Sequence, residues 1–245
     1  MGLKPSYERT SLLALAKSVG VGPEIVELIP DPEELVPHLL RHIPGDAGSE
    51  LRAEWYRPFF GELGRDIRIG MGATFLGAGN MKIGDGCFFD DGVFLDSRRG
   101  KGIELGAGVR VCNGAYIIPH EEAGYIKIDH HSYIGARSKI FGHAGVELGH
   151  NVLFSPGVTI VPYQHEFSDP DELIINQGGQ TGPVIIGDDV YLGQDVIVLH
   201  SMRIGSGSIV GAGSVVNRPV EPYSVAAGVP VRHLRKRYEK RGSKA

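Results

Sequence analysis

A repeat of six residues runs through most of this chain. From Ile69 onward an aliphatic or aromatic residue recurs at every sixth position, is often followed by glycine, and has a small residue four places further on. Neither the 3.6-residue period of an α-helix nor the two-residue period of a β-strand gives this spacing. The clearest stretch is led by Ile186, Leu192, Val198, Ile204, Val210 and Val216.

A triangular solenoid explains the period. Each hexapeptide forms one short flat strand and one corner, and three of them form a coil of about 18 residues. The leading residue points inward and stacks on its counterparts, the small residue fits inside the corner, and glycine tolerates the turn. The repeat therefore predicts a mainly β, parallel solenoid of about seven coils. The earlier coils are led by Ile83/Phe89/Leu95, Leu105/Val111/Ile117, Ile128/Ile134/Ile140 and Leu148/Phe154/Ile160, after a partial coil at Ile69/Phe75.

The extra residues between hexapeptides all follow the third side of a coil. They come after Leu95, after Ile117 and after Ile140, and the longest insertion separates Ile160 from Ile186. Loops stacked along one edge of a solenoid commonly build its binding face. We therefore expect the functional site along this corner.

Both ends of the chain depart from the repeat. Residues 1–65 lack the hexad, and helical patterns at 11–19, 33–42 and 49–60 predict a helical N-terminal subdomain. The solenoid is expected over 66–231, with a long loop at 161–183. The basic stretch 232–245 is expected to form a short C-terminal helix and tail, either as a solvated charge run or as a contact for anionic ligand groups.

Composition and charge exclude several classes of protein. The net charge of -4 provides no overall cationic field for nucleic acid. The two cysteines, Cys87 and Cys112, suggest neither a disulfide framework nor a metal set and fit a reduced compartment. No apolar run approaches the roughly 18 residues of a membrane span. A cytoplasmic location is the expectation.

The segment from Pro183 to Val231 resembles the C-terminal signature of the hexapeptide-repeat acyltransferases. The closest subgroup is that of the galactoside, maltose and nodulation-factor O-acetyltransferases. This resemblance implies a left-handed coil and a homotrimer with active sites between neighbouring subunits. It also implies acetyl-CoA or another acyl-CoA as co-substrate, a small-molecule acceptor such as a sugar, and no required metal.

The resemblance implies that His165 is catalytic. In the family, the catalytic histidine follows a Val-Thr-hydrophobic strand and precedes a long loop that ends in Pro-Val-x-Ile-Gly. The matching residues here are 158–160 before His165 and 183–187 after it. Imidazole can take the proton of a weakly nucleophilic hydroxyl while its oxygen attacks a thioester, and can then protonate the leaving thiolate.

Four further side chains are expected to form a column on the insertion-bearing corner. Each lies three residues after the inward residue of the third side: Arg98, His120, His143 and Tyr163. If the coils are in register, this column leads to His165. We expect the column to line the acceptor pocket, with a set of polar corner residues as the alternative.

For coenzyme A, the resemblance points to the last coils, where small residues let the pantetheine arm lie along the wall. The position at which the family has its sugar-binding asparagine lies near Gly135 in this chain. The missing asparagine argues against a galactoside-type acceptor. Arg218 is suited to a phosphate of coenzyme A. The residues implied to bind the coenzyme are Tyr191, Gly193, Gln194, Ala212, Gly213, Asn217 and Arg218.

Three other functions are alternatives to this one. An N-acyltransferase acting on an amino sugar or an antibiotic would use the same mechanism. A metalloenzyme like the γ-class carbonic anhydrases needs two zinc-binding histidines separated by four residues; His143 and His150 are separated by six, and His130 and His131 are adjacent. A non-catalytic trimeric binding subunit is the third, and thioester turnover would exclude it.

Overall fold

The computed structural model describes residues 40–238 of the chain. Three sheets form the sides of a triangular solenoid of about seven turns. They are parallel except for the last strand pair of the second sheet, and each complete turn contributes one strand to each sheet. The predicted fold class, a mainly β solenoid of the left-handed β-helix type, is confirmed. The predicted helices at 11–19 and 33–42 lie outside the described residues, apart from the last turn of the second.

The strands are two or three residues long until the last turn. Sheet 1 contains Glu62–Leu63, Met81–Ile83, Ile103–Leu105, Ile126–Ile128, Val146–Leu148, Val184–Ile186 and Arg203–Ile204. Sheet 2 contains Arg68–Ile69, Phe88–Phe89, Arg110–Val111, Tyr133–Ile134, Leu153–Phe154, Tyr191–Leu192, Ile209–Val210, Ser224–Ala227 and Arg232–Lys236. Sheet 3 contains Thr74–Leu76, Phe94–Asp96, Tyr116–Ile118, Lys139–Phe141, Thr159–Val161, Ile197–Leu199 and Val215–Val216.

The leading residues of the hexapeptides form the core. In sheet 3, Ile117 lies beside Ile140, which lies beside Ile160, and the stack continues to Val198. All four are fully buried. Burial of one such side chain stabilises the fold by about 1.5–3 kcal/mol relative to exposure. The six-residue period is therefore the period at which the chain returns an apolar side chain to the interior.

Small residues fill the inside of the corners, as the repeat predicts. Ser132 and Ser208 are fully buried at such positions. Their hydroxyls donate to the carbonyl oxygens of Gly149 and Glu221 in the next turn, each over 2.9 Å. The stacking of turns thus gives these two buried hydroxyls a partner, which avoids the desolvation penalty of an unpaired hydroxyl.

The insertions all connect sheet 3 to sheet 1, as predicted from their spacing. We call this edge the insertion corner; it follows the strands Phe94–Asp96, Tyr116–Ile118, Lys139–Phe141 and Thr159–Val161. Successive turns lie about 4.8 Å apart, the spacing of neighbouring strands. Side chains at equivalent positions of this corner are therefore brought into contact.

A helix at Gly45–Tyr56, followed by a 3₁₀ turn at Arg57–Phe59, covers the N-terminal end of the solenoid. The sequence predicts a helix at 49–60, so the observed one starts and ends about one turn earlier. Arg52 is 1% exposed and fastens the helix to the solenoid. Its guanidinium donates to the carbonyl oxygens of Ile69, Leu40 and Ile43 over 2.7–2.9 Å.

The predicted C-terminal helix is wrong for the described residues. Arg232–Lys236 is a strand, and it runs antiparallel to Ser224–Ala227 at the end of sheet 2. A terminal sheet edge presents unpaired backbone N–H and C=O groups, which a following segment can satisfy by pairing. This pairing determines the conformation of the basic segment.

Candidate active site

The longest insertion folds as a β-hairpin on the insertion corner. Its two strands, Tyr163–His165 and Gly179–Thr181, are antiparallel, and His165 lies opposite Gly179. The side chain of Gln177 holds the outer loop through hydrogen bonds to backbone groups. The hairpin therefore places His165 on paired backbone rather than in an unstructured loop.

The imidazole of His165 is exposed and contacts Tyr163. Nδ1 lies 3.2 Å from the phenol oxygen, and the rings meet edge to face with centroids 4.8 Å apart. The nearby carboxylates have other partners: Glu166 accepts a hydrogen bond from Gln180, and Asp169 accepts one from a backbone N–H of the loop. In the described structure, Tyr163 is thus the side chain paired with His165.

The column predicted from the turn arithmetic exists as a row of rings. The imidazoles of His120 and His143 are stacked, with centroids 4.5 Å apart and planes 10° from parallel. His143 in turn stacks on Tyr163, with a centroid separation of 5.2 Å and an angle of 26°. With the contact between Tyr163 and His165, the row runs continuously up the insertion corner to the hairpin.

Arg98 lies at the lower end of this row, but its guanidinium turns to a carboxylate. It donates to Asp96 through Nη2 over 2.7 Å and through Nε over 3.0 Å. These hydrogen bonds hold the pKa of Asp96 below its usual value, with His120 adding a smaller effect of the same sign. A cavity of about 520 Å³ opens here, lined by Asp96, Arg98, Arg99, Tyr116, Ile118 and His120.

His143 is the electrostatically unusual member of the row. Burial lowers its pKa from the ordinary 6.5, and the neighbouring His120 lowers it further, against a smaller opposite effect of Glu121. Its Nδ1 is buried and, in the described part of the chain, has no hydrogen-bond partner. Both observations favour a neutral imidazole in the middle of the row.

The implied coenzyme residues lie on the last turns, on two different corners. Gly193 and Gln194 follow the strand Tyr191–Leu192 of sheet 2, and Ala212 and Gly213 occupy the same corner one turn later. The backbone N–H of Gly213 donates to the carbonyl of Gln194 over 2.8 Å. Gly193 has a structural requirement of its own, because a Cβ there would lie 2.6 Å from the backbone nitrogen of Ala212. Gly213 has a φ of +67°, and a Cβ built there would meet no atom within 4 Å.

Tyr191 and the Asn217-Arg218 pair flank these corners. The phenol oxygen of Tyr191 lies 3.0 Å from Oγ of Ser155 on the outer face of sheet 2. Asn217 and Arg218 follow the last strand of sheet 3 and are therefore on the insertion corner, two turns beyond the strand that leads to His165. Two turns correspond to about 10 Å along the axis.

Arg218 borders a cavity of about 390 Å³ together with other basic side chains. The cavity is lined in part by Arg232, His233 and Lys236 from the C-terminal strand, and Glu221 is its acidic member. Sequence reasoning noted the basic run but expected a helix, so it did not place these residues beside Arg218. It also missed Gly179, since no period indicates which residue pairs with His165 across a hairpin.

Two known repeat signatures match this chain. One, described as a bacterial transferase hexapeptide of six repeats, covers residues 183–218. The other, a hexapeptide repeat of succinyl-transferase, covers residues 125–162. Over these two segments the chain is similar to hexapeptide-repeat transferases. The matched segments flank the hairpin that carries His165.

Relatives of this hexapeptide-repeat protein are named acetyltransferases. Galactoside O-acetyltransferase of Escherichia coli K12 is 34% identical over 45% of this chain and 53% of its own length. Galactoside O-acetyltransferase of Lactococcus lactis is 30% identical over 63% of this chain and 62% of its own. A probable acetyltransferase of Mycobacterium tuberculosis is 30% identical over 55% of this chain and 44% of its own. The chain thus spans about half the length of these curated relatives.

The fold recurs in a solved structure. AntD, an N-acyltransferase from Bacillus cereus, in complex with dTDP-4-amino-4,6-dideoxyglucose and coenzyme A, superposes with a TM-score of 0.57. The sequences are 22% identical, and the match covers 76% of this chain and 89% of AntD. At this identity the likeness shows the shared fold.

The described residues lack two features, a metal site and a membrane span. Between residues 40 and 238, no group of three or more His, Cys, Asp or Glu side chains is placed to hold a metal ion. Within the same range, no helix has both the length and the apolar character needed to cross a membrane.

Proposed function

We propose that this protein transfers an acetyl or similar acyl group from coenzyme A to a hydroxyl of a sugar-containing acceptor, with His165 as the general base. The observation that carries the proposal is the placement of His165. Its exposed imidazole stands at the end of a continuous row of rings, on a hairpin between the two segments that match transferase repeats.

In the reaction, the ring nitrogen of His165 that faces away from Tyr163 takes the proton of the acceptor hydroxyl. The oxygen attacks the thioester carbonyl carbon, and the carbon–sulfur bond then breaks. His165 returns the proton to the thiolate, so that the products are an ester and free coenzyme A. General base catalysis of this kind contributes about 10²–10⁴-fold to the rate.

The acceptor groove is proposed to follow the insertion corner along Arg98, His120, His143 and Tyr163. These residues span three turns, or about 14 Å at the strand spacing. That length accommodates an acceptor larger than a monosaccharide. The stacked pair Phe94 and Tyr116, with centroids 5.0 Å apart, provides an apolar wall beside it, the kind of surface on which a sugar ring can pack.

The donor is proposed to lie over the last turns, on Tyr191, Gly193, Gln194, Ala212 and Gly213. The fit is supported by the open space at Gly213 and by the cationic cavity beside the Asn217-Arg218 pair. Arginine pairs well with phosphate because its planar fork donates two parallel hydrogen bonds. A homotrimer, which the family resemblance implies, and a cytoplasmic location are further parts of this proposal.

Release of free thiol from acyl-CoA tests the proposal. The purified protein is assayed with acetyl-CoA and propionyl-CoA against maltose, a galactoside, glucosamine and a nucleotide sugar. We expect acceptor-dependent thiol release, with a product that hydroxylamine cleaves because it is an ester. A product resistant to hydroxylamine would be an amide and would identify an N-acyltransferase instead. No release above the rate without enzyme, across the panel, would favour a non-catalytic binding subunit.

A further inference from the structure

The side chain that contacts the imidazole of His165 is the phenol of Tyr163, although two carboxylates lie nearby in the sequence. Histidines that act as bases are commonly oriented by a carboxylate or a backbone carbonyl, which holds one ring nitrogen protonated and leaves the other free. Here the carboxylate of Glu166 accepts a hydrogen bond from Gln180, and that of Asp169 accepts one from a backbone N–H. The phenol oxygen of Tyr163 lies 3.2 Å from Nδ1 of His165 instead.

The hairpin creates this contact through strand geometry. Tyr163 and His165 are two residues apart on one strand, so their side chains leave the same face. Gly179 lies opposite His165. A Cβ built on Gly179 would overlap the phenol oxygen and the adjoining ring carbon of Tyr163. The absence of a side chain at residue 179 therefore makes room for the phenol beside the imidazole.

The row of rings holds the phenol from its other side. His143 stacks on Tyr163, and His120 stacks on His143. Burial and the proximity of His120 lower the pKa of His143, which keeps a neutral ring in contact with Tyr163. Tyr163 is thus held between the ring stack and Gly179, with its oxygen directed at His165.

We propose that Tyr163 is the positioning residue of His165 and that Gly179 is required for it. The phenol oxygen accepts a hydrogen bond from the Nδ1 proton, which fixes the tautomer that leaves Nε2 unprotonated and directed to the acceptor hydroxyl. This inference rests on the proposed function, since it assigns the part that Tyr163 plays for the base.

The first test is Tyr163→Phe, which keeps the ring and its stacking but removes the oxygen. We expect the kcat for thiol release to fall about 10- to 100-fold, as a misplaced catalytic group does, with the KM values for acyl-CoA and acceptor nearly unchanged. Tyr223→Phe is the matched control, because it removes an exposed phenol on another corner. Because this variant keeps the ring that lines the proposed acceptor groove, a raised acceptor KM with unchanged kcat would overturn the proposal and make the phenol oxygen an acceptor ligand instead.

A spectroscopic measurement reads the tautomer directly. In protein with ¹⁵N-labelled histidine, long-range ¹H–¹⁵N correlation spectra assigned through His165→Ala should show His165 with the proton on Nδ1. Tyr163→Phe should shift it towards the Nε2-protonated form. A wild-type His165 that is already Nε2-protonated would contradict the proposal, because the nitrogen needed for catalysis would then be blocked.

Gly179→Ala provides an independent test. It should reproduce the kcat loss of Tyr163→Phe in the wild-type background and should add much less to Tyr163→Ala, because only the contact of the new Cβ with the carbonyl oxygen of Gln164 then remains. Such non-additivity identifies residues that act through one contact. Additive losses would overturn the role of Gly179. If His165→Ala keeps full activity, the general base itself is wrong; if it is inactive while Tyr163→Phe is fully active, only the positioning role fails.

Discussion

The imidazoles of His120 and His143 are stacked nearly parallel, with centroids 4.5 Å apart. Two stacked imidazolium ions would repel each other, and His143 is also partly removed from water. Its pKa is lowered from 6.5, first by burial and then by His120. The pair is therefore built to carry fewer protons than two isolated histidines at the same pH.

Titration of His143 measures this effect. We expect the Hε1 resonance of His143 to titrate with a midpoint below 6.5, and His120→Asn to raise that midpoint because one lowering influence is removed. The assay is a ¹H NMR titration of the wild-type protein and of His120→Asn under the same conditions. A His143 midpoint at or above 6.5 would refute the stacking account.

The same shift predicts a pH dependence of stability. Below pH 6.5 the unfolded chain binds the proton of His143 before the folded chain does, so protonation favours unfolding. The contribution of His143 to the free energy of unfolding should therefore decrease as the pH falls from 6.5 through the lowered folded-state pKa. Compared with wild type, His143→Asn should lose less stability over this range in urea titrations. Equal losses would contradict the shift.

Truncation of one stacked residue tests the core. Ile140→Ala should lower the free energy of unfolding by about 2–5 kcal/mol, the usual cost of removing a fully buried aliphatic side chain. Lys139→Ala, its exposed neighbour on the same strand, should stay within about 0.5 kcal/mol of wild type. Urea unfolding at one fixed protein concentration gives both values. Equal effects would mean that the side chains of this strand are assigned to the wrong faces.

We expect Arg52 to anchor the helix Gly45–Tyr56 to the solenoid. Arg52→Met removes the guanidinium donor from the carbonyl oxygens of Ile69, Leu40 and Ile43, and each buried group left unpaired costs about 1–3 kcal/mol. The Leu40 oxygen keeps a longer bond from the N–H of Ile43, over 3.3 Å. Amide hydrogen exchange in the helix should therefore accelerate, while that of the solenoid strands remains slow. Arg68→Met breaks an exposed ion pair with Asp46 at the same junction and should change little. Unchanged exchange in Arg52→Met would contradict the anchoring role.

Thermal melting tests the donor site. A ligand that binds only the folded state stabilises it by about 2.7 kcal/mol at a hundredfold excess over its dissociation constant. Coenzyme A should raise the melting temperature, and Arg218→Ala should reduce the shift, whereas Arg203→Ala, on the outer face of sheet 1, should not. An equal shift in the Arg218 variant would exclude this residue from the donor site.

The sequence was most informative where each residue repeats a position of the previous turn. The register that stacks Ile117 on Ile140 also stacks His120 on His143, so counting three residues past each inward residue was enough to predict the row. Its extension to Tyr163 followed from Ile160 in the same way. The solenoid converts a spacing in sequence directly into a contact in space.

The sequence was least informative where the repeat stops. The contact of Tyr163 with His165 depends on pairing with Gly179 across a hairpin, and no six-residue period extends through that insertion. The segment Arg232–Lys236 has a basic composition that was interpreted as a helix, but it pairs with the sheet end. In both places long-range backbone pairing, rather than local preference, determines the structure.

Turnover by His165→Ala tests the central claim most directly. With acyl-CoA saturating and an active acceptor from the panel, thiol release should fall by about two to four orders of magnitude. Coenzyme A binding, measured by calorimetry on the same preparation, should remain near wild type, because His165 is exposed on the hairpin and no core contact is lost. Near-normal turnover by this variant would contradict the account and would remove His165 as the general base.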